Sequence, residues 1–221
     1  MIVPSMTVQE IHKEIFEDIK NLQSKLDEFC KRFKKVVLKA SRYPLTKSYD
    51  CKTIGKKNLF IVDYTAFKRS NWKNPIMSLN GIYTRPEGKY AVAPSIDMNI
   101  ITIYPPHFFA RFRERIVKDE SISNEDIIRQ YFKNDWGFMG AVVNKDLESV
   151  YHCFENDNDN DIVSFVAATS QGYCFGEKQG NVNIVKTIIT EKMLFENQKP
   201  LFSELKNAFK EANKDRYGGI V

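Results

Sequence analysis

The chain has 221 residues and only four cysteines, Cys30, Cys51, Cys153 and Cys174, with no CxxC pair among them. That spacing excludes the usual zinc-ribbon and thioredoxin-like motifs. His152 and Cys153 are adjacent, and adjacent strand residues point to opposite faces, so with Cys174 they do not form a metal-ligand set. No stretch approaches the roughly 18 consecutive apolar residues of a membrane-spanning helix. No GxGxxG occurs, and Gly172-x-x-x-Gly176 lacks the Walker lysine spacing, so no phosphate-cradling loop is expected. Met1–Met6 runs directly into charged, helical sequence and does not resemble a signal peptide. There is no internal repeat. These absences lead to the expectation of a cytoplasmic protein with reduced thiols, no metal, no cofactor and no membrane partner.

What is present can build a sizeable core: 43% of residues are hydrophobic and 13% aromatic, which argues against wholesale disorder. The net charge of +5 permits a polyanionic partner without requiring one. The acidic turn at 155–161 places Asp157, Asp159 and Asp161 at the first three ligand positions of an EF-hand loop. The required glycine and closing glutamate are replaced by Ile162 and Ala168, so a solvated hairpin loop is expected.

The order of elements reads as α+β. Residues 1–40 form a long amphipathic helix, and 41–221 a single α+β domain. The helix spans 7–38 and starts at the capping box Thr7-Val-Gln-Glu10. Ile11, Ile15, Ile19 or Leu22, Leu26, Phe29, Phe33 and Val36 recur at spacings close to those of a coiled-coil seam. The seam either folds back on its own domain or takes a partner protein or a second copy. Residues 31–57 hold ten Lys and Arg against Asp50 alone. Lys31, Arg32, Lys34, Lys35 and Lys39 are the candidates within it for binding a nucleic-acid backbone; the alternative is a solvated basic face.

A β-rich segment follows. Strands are expected at 58–67 and 98–104, with a hairpin around Arg85-Pro-Glu-Gly88 and a loop at 71–79. Next come two helices, 105–118 and 123–134, the second capped by Ser123. An antiparallel sheet of four to five strands then occupies 136–144, 149–155, 161–169, 172–177 and 182–190, with a turn at Gly176–Gly180. Helices at 191–197 and about 201–213 close the chain, with Ser203 a possible cap for the last.

The stretch with the most chemistry is 105–118. Pro105-Pro106 suits a helix start. On a helical projection, Glu114, His107, Arg111 and Arg115 fall within about 100° of arc. Phe108, Phe112, Ile116 and Phe109 form the neighbouring apolar face. Two arginines four residues apart suit a phosphate, and Glu114 can orient one of them. His107, in the first turn, is favoured neutral and can exchange a proton. The other reading is a charged surface helix.

The pattern His107-x-x-x-Arg111-x-x-x-Arg115, then Ser123-Asn-Glu-Asp-Ile127 opening the next helix, then a run of strands, resembles the barnase–EndoU–colicin–RelE superfamily of ribonuclease domains, in its bacterial and phage branches. The resemblance covers about residues 105–190. It implies two helices followed by a four-stranded antiparallel sheet, and metal-independent RNA cleavage. It also implies that the last core strand faces the helix and supplies a polar group, Lys186 or Thr187. The rival expectation is a non-catalytic protein that binds nucleic acid or another protein.

Overall fold

In a computed structural model, residues 1–143 and 162–214 are described. The chain forms two compact units, Met1–Ile101 and Thr102–Val221. The expected strand at 149–155, His152, Cys153 and the acidic turn lie outside the described residues.

The first unit opens with the long N-terminal helix, built as α1 (Val8–Ile19), a 3-10 turn at Lys20–Leu22 and α2 (Gln23–Lys39). The Thr7–Glu10 capping box forms, with the Thr7 N–H donating to Glu10 at 2.7 Å. Ile11, Ile15, Leu22, Phe29, Phe33 and Val37 are buried. Val37 rather than Val36 ends the seam, and Val36 is exposed. The seam packs on strands of its own unit: Phe29 stacks on Tyr49 and Phe33 on Tyr64.

Four strands follow, β1 (Leu45–Lys52), β2 (Leu59–Ala66), β3 (Ile76–Arg85) and β4 (Gly88–Ser95), each antiparallel to the next. β1 lies where the sequence showed only charge. Its lysines suit an outer strand, where they discourage further pairing. β3 begins at Ile76, inside the expected loop, because Ile76–Leu79 completes the ladder to β2. Asp18 on α1 is fully buried. It accepts from Thr53 Oγ1 at 2.7 Å and Asn58 Nδ2 at 2.8 Å, which ties the β1–β2 turn to the helix.

β5 (Ile100–Tyr104) carries the chain into the second unit. There α3 (Pro106–Phe112), a π-helical turn (Arg113–Val117) and α4 (Asn124–Lys133) precede β6 (Phe138–Val142), β7 (Ile162–Thr169), β8 (Tyr173–Gln179) and β9 (Val182–Ile189). A 3-10 turn (Glu191–Met193) and α5 (Lys199–Asn213) close the described chain. The strand order is β5-β9-β8-β7-β6, and β6 to β9 pair antiparallel in succession. Tyr104, Phe108, Phe109, Phe112, Tyr131 and Phe132 form an aromatic core with ring centroids 5.1 to 6.3 Å apart. A second core joins Val166, Tyr173 and Phe175 to Phe202, Leu205 and Phe209 of α5.

The α+β class holds, but the expected sheet of four to five strands does not match. The described residues hold nine strands, and β5, which precedes the helices, neighbours β9. Three local expectations also change. The segment 191–197 is helical only at Glu191–Met193. α5 begins at Lys199 with Pro200 in its first turn, so Ser203 lies inside the helix rather than capping it. Gly176 is a strand residue at a β-bulge, and the tight turn comes at Gly180, whose φ is 55°. No helix among the described residues is long and apolar enough to cross a membrane.

Candidate functional site

α3 starts as its sequence dictates. Pro106 needs no N–H partner in the first turn, and three phenylalanines anchor the apolar side, each at most 3% exposed. After Phe112 the helix widens. Lys118 adopts the left-handed conformation, φ 59°, and its N–H donates to the Arg113 carbonyl at 2.7 Å. This closes a π-turn rather than a regular helix end.

The polar stripe meets β9. His107 is hydrogen-bonded through its ring to the backbone of Lys186. Desolvation is the main cause of its lowered pKa; the hydrogen bond to the Lys186 backbone opposes it, and the positive charges of Lys186 and Arg111 act in the same direction as burial. Arg115 donates through Nη1 to Thr187 Oγ1 at 3.0 Å and to the Ile188 carbonyl at 3.2 Å. Arg111 donates to Glu114 at 2.7 Å, and both side chains are about half exposed, at 49% and 55%. A pair this exposed is screened by water and opens easily. Lys186 is paired with Glu177 of β8. The structure therefore brings the α3 stripe of His107, Arg111, Glu114 and Arg115 against β9 at Lys186 and Thr187, whose side chains, on successive strand residues, point to opposite faces. With Arg111 and Lys186 paired to carboxylates, this region carries little net positive charge.

Arg115 also lines a cleft of about 710 Å³, together with Lys118, Lys192 and Lys206. His107 and Arg111 do not line it. Nothing in the sequence reading singled out Lys118, Lys192 or Lys206. They converge because of the π-turn, the 3-10 turn and the seating of α5, none of which has a spacing signature.

The five basic candidates on α2 divide. Arg32 pairs with Glu28. The Lys34 ammonium sits 4.0 Å from the centre of the Trp72 ring, a cation–π contact that holds it in place. Lys31, Lys35 and Lys39 are exposed, and among the described residues none of the three is in an ion pair. Spaced four apart, they form a line with steps of about 6 Å along the helix.

The thiols of Cys51 and Cys174 are raised in pKa by burial, which opposes the thiolate form a nucleophile needs. Among the described residues no group of three or more His, Cys, Asp or Glu is placed to hold a metal. The chain matches no protein-family model, no curated protein and no solved structure.

Proposed function

We propose that this protein binds nucleic acid, RNA in the first instance, through the phosphate backbone along the outer face of α2. The observation that carries this reading is the unpaired line Lys31, Lys35, Lys39. An unpaired exposed lysine gains a phosphate without losing a carboxylate, and counterion release adds to the gain. The α3–β9 surface is weaker as a docking face because Glu114 and Glu177 already offset two of its cations. The test is binding of a single-stranded RNA at a series of salt concentrations. Replacing Lys31, Lys35 and Lys39 together by glutamine should flatten the slope of log K against log salt by about 2, at roughly 0.7 per phosphate contact. An unchanged slope would falsify the reading.

One observation favours a second reading, cleavage of the bound RNA. The resemblance to the ribonuclease superfamily needs a base beside the phosphate-binding arginines. His107 is held by the Lys186 backbone through one ring nitrogen, and environment disfavours its charged form. In this reading its other nitrogen takes the proton from a ribose 2′-hydroxyl, whose oxygen bonds to the adjacent phosphorus while Arg111 and Arg115 offset charge on the pentavalent phosphate; the bond from phosphorus to the 5′-oxygen then breaks, leaving a 2′,3′-cyclic phosphate, and the departing 5′-oxygen takes the proton back from the imidazolium. Thr187 orients Arg115. RNA cleavage in the presence of a chelator, lost in both His107→Ala and Arg111→Ala, supports it. Cleavage that survives both substitutions unchanged, or no cleavage by the unaltered protein, removes it.

A further inference from the structure

The cleft beside Arg115 is lined by residues of the second unit and not by His107, so it needs its own account. Its walls are fixed. On one side, the Thr169–Tyr173 turn is locked by Thr169 Oγ1, which donates to the Gly172 carbonyl at 2.9 Å and accepts from the N–H groups of Gln171 and Gly172 at 3.1 Å. Gln171 and Ser170 then tie this turn to the end of α4, through the Tyr131 and Asn134 carbonyls. On the other side, Arg115 is clasped to β9. Its clasp uses Nη1 alone, which leaves Nε and Nη2 as donors.

Four cations line this space, Arg115, Lys118, Lys192 and Lys206, against the single carboxylate Glu191. Lys206 is engaged with Glu191 at 2.8 Å. Lys118 and Lys192 are in no ion pair among the described residues. Lys118 also holds a left-handed backbone that glycine would adopt without cost, where a lysine loses roughly 1 kcal/mol. A strained cation lining a basic cleft is a reason to look for an anion there. The cleft volume falls within the range of small-molecule sites and exceeds the needs of one phosphate. Its aromatic wall gives no stacking platform, because Tyr173 is only 5% exposed. Recognition here is of charge rather than of a base.

From these features we infer that the cleft is an oligophosphate site. It takes the phosphate tail of a nucleotide or the 5′-terminal phosphates of an RNA, with the nucleoside outside. This site is independent of the α2 line.

Calorimetric titration of the full chain with inorganic pyrophosphate at low ionic strength tests this. One equivalent should bind. Lys118→Gly combined with Lys192→Gln should weaken binding about tenfold, while thermal unfolding shows the Lys118→Gly chain no less stable than the parent. Replacing Lys31, Lys35 and Lys39 should leave pyrophosphate binding in place. No binding up to about 1 mM, full affinity in the Lys118/Lys192 variant, or loss of binding in the α2 variant would each overturn the proposal. Titrating ADP, and comparing an RNA carrying a 5′-triphosphate with the same RNA carrying a 5′-hydroxyl, then identifies which source supplies the phosphates. If neither ADP nor the 5′-triphosphate competes with pyrophosphate, the oligophosphate assignment fails.

Discussion

Arg115 and Thr187 are joined by a 3.0 Å hydrogen bond, and the same guanidinium nitrogen reaches the Ile188 carbonyl at 3.2 Å. One side chain thus fastens the π-turn to β9. It also holds that turn where Lys118 can reach the cleft.

Arg115→Ala should therefore lower the stability of the second unit by about 1 kcal/mol, the worth of a charge-assisted contact discounted for partial exposure. Thr187→Val should cost less, because the Ile188 carbonyl remains as a partner. The double variant should cost less than the two effects added, since the bond between them is lost only once. Urea unfolding of the three variants measures this, and strict additivity would show that the two side chains are not coupled.

Gly176 is a second point where the geometry is strict. A Cβ there would stand 2.3 Å from the Ile184 carbonyl oxygen and 2.6 Å from Phe165 Cζ. The phenyl ring can turn away, but the carbonyl belongs to the β9 ladder and cannot. Gly176→Ala should cost more than about 2 kcal/mol. Gly55→Ala is the control, since nothing lies within 4 Å of its added methyl, and it should change stability by less than about 0.5 kcal/mol. Parallel urea curves of the two variants make the comparison.

Gly176 also shows where reading the sequence stops working. A glycine near a charged segment signals a turn locally, yet here it relieves a cross-strand clash that depends on which residues pair. The N-terminal cap, α4 and β2 (Leu59–Ala66, expected at 58–67) were legible because their signals are local: a Thr-x-x-Glu box, a Ser before an acidic turn, an apolar run with β-branched residues. The aromatic face of α3 was legible from its period. β1 was not, because an outer strand with exposed lysines has no apolar alternation to read. His107, Arg111 and Arg115 were found from spacing alone. The strand that meets them was reached only through a resemblance, and the π-turn that swings Arg115 into the cleft left no mark in the residue pattern. Lys192 and Lys206 lie beyond any local window from Arg115, so only the tertiary fold brings them together.

Asp135 gives the second unit a pH dependence with a definite sign. Burial raises its carboxyl pKa to about 6, partly offset by a hydrogen bond from the Gly137 N–H at 3.1 Å. Tyr104, Tyr131 and Cys174 all feel its charge. The folded pKa lies above the unfolded value of about 3.9, so the folded state holds a proton that the unfolded chain has released. The stabilising contribution is present below about pH 4 and is lost as pH rises towards 6. The loss should be about 2 kcal/mol, about two thirds of the full linkage of the shift, because the side chain is only half-buried. His107 slopes the other way, since its pKa is lowered on folding, so the measurement belongs in a His107→Gln background. Trp136, next in the chain, reports unfolding of this unit once Trp72 is replaced by phenylalanine, because the chain has two tryptophans. The stability of the parent relative to Asp135→Asn, followed by Trp136 fluorescence, should fall between pH 4 and 6.5 and then level; taking the difference removes the opposite contributions of Glu114, Asp119 and Glu191, whose carboxyl pKa values are lowered by their partners. Asp135→Asn keeps an acceptor for the Gly137 N–H and removes the titration, so it should lie above the parent at pH 7. An asparagine variant with the same slope as the parent would show that the carboxyl is solvated in the fold.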